Sequence, residues 1–176
     1  MKGLIKFLSI LLVVFSCTTS RKESLITHVT ILDKVDFAKL EMDTTYLRDQ
    51  LMHGRFYPLK IDLVNNSGSI MYYWTNSCSW QSNWILDYKA ITWVVECPKN
   101  IPVIVKLMPH VTQSHFGIVE YTDSTILDSN EFKLGFVLLR ENEVNNDIDF
   151  LRILQGKIET KTDIYWSNSI VPGQKN

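Results

Sequence analysis

A chain of 176 residues has room for one domain of ordinary size, and 45% hydrophobic against 21% charged residues places it among packed globular proteins. Its 18 bases and 19 acids leave a formal charge of -1, which excludes the broad positive field of a nucleic-acid binder. The seven glycines are too dispersed for a dinucleotide fingerprint or a phosphate-cradling loop, since the closest two, Gly54 and Gly68, lie fourteen positions apart.

The first element in chain order is a leader. Lys2 and Lys6 flank the start of an uncharged run of nine residues, Phe7 to Phe15, that ends in Ser16 and Cys17. A bilayer core of about 30 Å needs a helix of about 20 apolar residues, so this run reads as the apolar region of a secretory signal and not as a mature span. Small Ser16 before Cys17, with Val14 three places before the cysteine, resembles the lipobox of bacterial lipoproteins. Phe15 is bulkier than the residue usual at its place. The resemblance covers the leader alone. It implies cleavage after residue 16, a diacylglyceryl group on Cys17, and residence in the bacterial cell envelope, at the outer membrane in a diderm because Thr18 and not Asp follows the cysteine. Each buried methylene of such chains adds about 0.8 kcal/mol, so two or three chains give lasting attachment to a membrane. Thr18 to Ser24 then reads as a tether, and loss of Lys2 and Lys6 with the leader leaves 16 bases against 19 acids, a charge of -3.

From Leu25 onward, short alternating apolar runs are separated by Asn, Ser, Asp, Gly or Pro, which predicts antiparallel, half-buried strands. The runs are Leu25 to Leu32, Tyr57 to Val64, Ser69 to Thr75, Ala90 to Glu96, Pro102 to Leu107, His115 to Tyr121, Glu131 to Arg140 and Lys157 to Trp166. In the second, Leu59, Ile61 and Leu63 alternate with Lys60 and Asp62, and Asn65 to Gly68 turn the chain. A helix is expected over Thr44 to His53, with Asp43 as N-cap and Gly54 as stop, and a weaker one over Asp147 to Leu154. The gaps are too short and polar for parallel crossovers. The expected architecture is therefore all-β: a single antiparallel β-sandwich over residues 25–166, loosely immunoglobulin-like, with a short N-terminal helical elaboration and a flexible tail over residues 167–176.

With Cys17 carrying lipid, Cys78 and Cys97 remain, and in an oxidising compartment they are expected to form a disulfide worth roughly 3 kcal/mol in the chain-entropy picture. Four of the five tryptophans fall between Tyr72 and Cys97. Trp74 and Trp93 suit packing across the sandwich. Trp80 lies in a polar segment, Asn76 to Asn83, that Trp84 directly follows, and the two indoles with Gln81 and Tyr88 are the candidate partner-binding residues, since aromatic rings on a loop bury large area at low entropic cost. The same i, i+4 indoles could equally fold down over one end of the sandwich.

Catalytic and metal patterns are weak. A blue-copper order fails because Met108 precedes His110 and His115, with Cys97 eleven residues before Met108, so both histidines read as solvated strand-end residues. H-E-x-x-H and G-x-S-x-G are absent, and the run of acids and amides from Glu141 to Asp149 lacks the glycine and closing glutamate of a calcium loop. No cofactor is implied. The function expected is a non-catalytic binding module for an envelope protein or glycan. An envelope immunity or inhibitor protein and a small hydrolase on the sandwich are the alternatives.

Overall fold

The computed structural model describes residues 24–33, 56–94, 100–122 and 131–172. Its strands are β1 (Leu25–Ile31), β2 (Phe56–Asn65), β3 (Met71–Asn76), β4 (Trp84–Leu86), β5 (Ile91–Val94), β6 (Pro102–Leu107), β7 (Thr112–Tyr121), β8 (Leu134–Val137) and β9 (Ile164–Trp166), with helix α1 (Asp147–Thr160) between the last two. The helix expected over Thr44 to His53 lies outside the described residues.

The fold is an all-β, antiparallel sandwich. One sheet has the order β1-β2-β7-β5. In it the alternation of β2 puts Leu59, Ile61 and Leu63 fully inside, with Leu25 and Val29 of β1 beside them. The second layer combines the β3-β6 pair with the trio β4-β8-β9. The two parts meet where Tyr73 bridges Arg140 and the Trp74 N–H donates to the Leu139 carbonyl at 2.8 Å. Between β3 and β4 the chain leaves the edge of β8 in a 3-10 turn, Trp80–Asn83, and the break in the ladder is closed by a side chain. Asn83, fully buried, donates from Nδ2 to the carbonyls of Trp74 at 2.9 Å and Val137 at 3.1 Å. Buried carbonyls need such a donor, which explains a polar residue at that depth.

Asn65 plays a similar part where the chain passes from one sheet to the other. Its Nδ2 donates to the carbonyls of Ser69 and Leu107, while its Oδ1 accepts from the Ser67 N–H at 3.0 Å. The turn read at Asn65 to Gly68 is thus a crossover between layers, because β2 and β3 belong to different sheets.

All four residues of β8 are buried, so both its faces need cover. Phe136 and Leu138 point into the sandwich, while Val137 and Leu139 pack beneath α1 with Val144, Phe150 and Leu154. The helix starts at Asn146, whose side chain accepts the Asp149 N–H, carries Asp147 and Asp149 in its first turn and Lys157 in its last, and stops at Lys161 in left-handed conformation with φ 54°. It runs past the Leu154 expected from sequence, and the strand expected over Lys157 to Trp166 is confined to its last three residues. The reason is a shared periodicity: Ile158 fits the alternation toward Ile164, yet it also follows Phe150 and Leu154 at helical spacing, and Lys157 on that face is itself buried.

Within the stretch read from sequence as a flexible tail, residues 167–170 make hydrogen bonds to the body. Ile170 pairs with Phe132, and the Asn168 side chain accepts the Val29 N–H at 2.8 Å and donates to the Val29 carbonyl at 3.0 Å. An amide side chain thereby completes the outer edge of β1, where a further strand would otherwise pair.

Candidate functional site

Of the aromatic stretch between Tyr72 and Cys97, Tyr73, Trp80 and Trp84 lie inside. Trp80 and Trp84 are 5% and 4% exposed, and Gln81 is 4% exposed, so of the two placements left open by the sequence the indoles take the one folded into the body. Of the candidates, Tyr88 is half-buried against the core, near the ring of Tyr121. Trp80 stacks on His115 at 4.6 Å between centroids and 27° between planes, and meets Trp93 edge-on at 5.8 Å. Gly117 makes room for them, since a methyl there would come within 3.1 Å of Trp93 and 3.3 Å of Trp80. Trp84 rests on Phe136, and its carbonyl accepts the Trp93 indole N–H at 3.2 Å. The polar neighbours of Trp80 misled the sequence reading, because Asn76 and Asn83 spend their amides inside the fold. Gln81 Oε1 and Asn83 Oδ1 stay buried without a hydrogen-bond partner among the described residues.

His115 is not the solvated strand-end residue expected. Burial pushes its pKa down to about 4, so the ring against Trp80 is neutral at pH 7. His110, by contrast, is exposed in a turn at φ 58°. Trp74 also departs from the expectation: it faces the helix side, with its indole N–H donating to the Glu141 carbonyl at 3.1 Å.

Two polar clusters invite a test for chemistry. On the outer face of the first sheet, register aligns His28, Asp62 and Ser114 across β1, β2 and β7. The Ser114 hydroxyl donates to Asp62 at 2.5 Å, and Lys60 sits 2.8 Å from the same carboxylate. Burial alone would raise the Asp62 pKa, but Lys60, the Ser114 hydroxyl and the charge of His28 outweigh it and hold it below the ordinary value. A carboxylate held that low is a weak base, and it stands between serine and histidine, so the order needed to activate the hydroxyl is not met. The second cluster is structural. Lys157, 8% exposed, donates to the Leu138 carbonyl at 2.8 Å, to Glu143 at 2.8 Å and to Asp163 at 2.7 Å. It pins the helix to the strand below and to the turn after it. Glu143 and Asp149, part of the acidic run weighed for calcium, are thus committed to Lys157 and Arg152.

The surface feature that remains is apolar. On the outward face of β3 and β6, Tyr72 is 39% and Ile104 43% exposed, and Ile70 and Met108, just outside those strands, are 41% and 42% exposed. Their alternates Tyr73 and Leu107 go into the core. Helix α1 covers Trp74 and β8 but leaves this face open. Lys106 lies among these residues, and an open depression of about 250 Å³ beside Ile70 and Tyr72 is also lined by Arg140, Glu141 and Asn142. An apolar centre with a charged rim has the anatomy of a protein interface. The sequence marked Tyr72 and Ile104 as strand residues; alternation could not tell which outward face lacks a cover.

Cys17 and Cys97 lie outside the described residues, and Cys78 is half-buried just after β3. No helix among the described residues is long and apolar enough to cross a membrane. No family model matches the chain, and no curated protein matches it. Among solved structures it is similar to a FixG-related protein from Vibrio parahaemolyticus, known from a crystal structure, with 7% identity and a TM-score of 0.40 over 86% of this chain and 99% of that one.

Proposed function

We propose that this chain is a lipid-anchored protein of the bacterial cell envelope, attached through Cys17, and that it serves as a non-catalytic binding module whose β3-β6 face docks a protein partner. The observation that carries the docking surface is the set Ile70, Tyr72, Ile104 and Met108, four large apolar side chains each 39–43% exposed on or beside one two-stranded ribbon. Scattered single apolar residues are ordinary on a surface, whereas such a contiguous group with Lys106, Arg140 and Glu141 around it favours a partner. The anchor rests on the leader pattern, and seven residues, 18–24, separate Cys17 from β1, a tether that lets the face reach its target. An oxidising envelope favours a Cys78–Cys97 bridge. Asn100, three residues beyond Cys97 in sequence, accepts the backbone N–H of Cys78 at 3.4 Å and of Ser79 at 3.1 Å.

Cys17→Ala should release the protein into the soluble fraction, and unchanged membrane retention would defeat the anchor. A photo-crosslinking residue at Tyr72 should give one discrete adduct in cells, while the same residue at His28, on the opposite face of the sandwich, should give none. Equal labelling from both positions, or no adduct from Tyr72, would refute the docking face. Thiol labelling of the unfolded, unreduced protein should find Cys78 and Cys97 blocked.

A further inference from the structure

Trp166 ends β9 and is 44% exposed, the most open of the described tryptophans. Its ring lies across Gly135 of β8, where a methyl would come within 3.0 Å of Cε3 and Cζ3. One ring face is thus seated on the strand while the side chain lines a cavity of about 650 Å³ with Ile85, Leu86, Asp87, Ile158 and Lys161. That volume is in the range of small-molecule sites, about 300 to 1,000 Å³, and the lining has their character of apolar walls with a few polar groups.

Those polar groups keep unused hydrogen-bonding capacity among the described residues. The Trp166 indole N–H makes no hydrogen bond among the described residues, whereas those of Trp74 and Trp93 are taken by carbonyls. Asp87 is fixed, because Oδ1 accepts the Lys133 N–H at 2.7 Å and its own N–H donates to the Lys133 carbonyl, yet its second oxygen has no such partner among the described residues. Lys161 closes the helix in left-handed conformation with its backbone N–H on Ile158, and its ammonium is in no ion pair among the described residues.

We propose that this cleft binds a neutral saccharide, with one pyranose ring stacked on Trp166 and its hydroxyls hydrogen-bonded to Asp87 and Lys161. The C–H face of a sugar ring is apolar and flat enough for an indole, while its rim of hydroxyls both donates, as the carboxylate needs, and accepts, as the ammonium needs. The opposite charges of Asp87 and Lys161 offset each other, so neither an acidic nor a basic ligand gains from the site. An apolar peptide side chain would bury both charges without a partner, which disfavours that occupant.

The test is titration calorimetry of the full lipidated protein in a non-glycosidic detergent against cellotriose, maltotriose and tri-N-acetylchitotriose. At least one should bind with a dissociation constant below about a millimolar, the ordinary scale of weak specific recognition. Trp166→Ala should then weaken binding at least about tenfold and Lys161→Met several-fold, with the melting temperature of the exposed Lys161 variant unchanged. Absence of binding by all three sugars, or binding unaffected by both substitutions, would overturn the site. Because Tyr72 crosslinking reads a different surface, it separates failure of the saccharide site from failure of the docking face.

Discussion

Acidification from about pH 7.5 to about pH 5 should weaken this fold through one half-buried ring. His115 lies against Trp80 with 4.6 Å between centroids, and burial lowers its pKa from 6.5 to about 4. A histidine whose folded pKa is depressed binds protons more readily in the unfolded chain. Its neutral form is therefore silent above about pH 6.5, and stability falls as pH falls from there to about 4, where the loss is complete. At about 1.4 kcal/mol per unit, the loss is about 2 kcal/mol by pH 5 and about 3 kcal/mol at the limit. His115→Phe keeps a flat ring on the indole and removes the proton site. Urea unfolding of both proteins at several pH values gives the difference in unfolding free energy, and carboxylates common to both cancel in it. That difference should shift by about 2 kcal/mol in favour of the variant between pH 7.5 and pH 5. A difference that stays flat with pH would mean that the ring charges freely within the fold, and the enclosure of the ring against Trp80 would be refuted.

Three further outcomes follow from the packing. Lys157→Met should cost about 2 to 3 kcal/mol in urea unfolding, since Glu143 and Asp163 lose their shared cation while staying partly solvated, and a loss below about 1 kcal/mol would count against the cluster as a brace. Asn83→Leu should cost about 2 kcal/mol, because the buried carbonyls of Trp74 and Val137 are left without the donor that closes the gap between β3 and β4; an unchanged stability would refute that role. Gly135→Ala places a methyl 2.7 Å from Ile164 and 3.0 Å from Trp166, so about 1 to 3 kcal/mol of stability and the Trp166 emission should change together. Emission and stability both like the parent would show that Trp166 does not lie on the strand.

The sandwich was legible where local alternation and burial coincide. Leu59, Ile61 and Leu63 announce a strand with one wet face, and the fold uses them so. It was not legible where a residue answers to something distant in sequence. Trp80 sits among Ser79, Gln81 and Ser82 and reads as a loop residue, yet His115 and Trp93, from two other strands, enclose it. Asn83 reads as part of a polar segment, and only the meeting of β3 with β8 creates the two carbonyls that hold it inside. Lys157 is a charge on the buried face of a helix, so its presence broke the apolar stripe that would have carried α1 to Thr160. Likewise Trp166 is one aromatic at the end of a short run, and its exposure depends on Gly135, about thirty residues earlier, lying beneath it.

Strand β8 sets how the two surfaces relate. Tyr73 of the docking ribbon bridges Arg140, and Trp166 pairs with Gly135, five residues back along the same stretch of chain. At about 3.4 Å per residue the two attachment points are about 17 Å apart, with α1 packed on Val137 and Leu139 between them. Sites separated by more than about 10 Å without shared partners act additively. Trp166→Ala should therefore leave the yield of the Tyr72 crosslink unchanged, and Tyr72→Arg should leave sugar titration unchanged. If either substitution moves the other readout by more than about twofold, the strand between them transmits a change, and the picture of a rigid body with two separate faces fails.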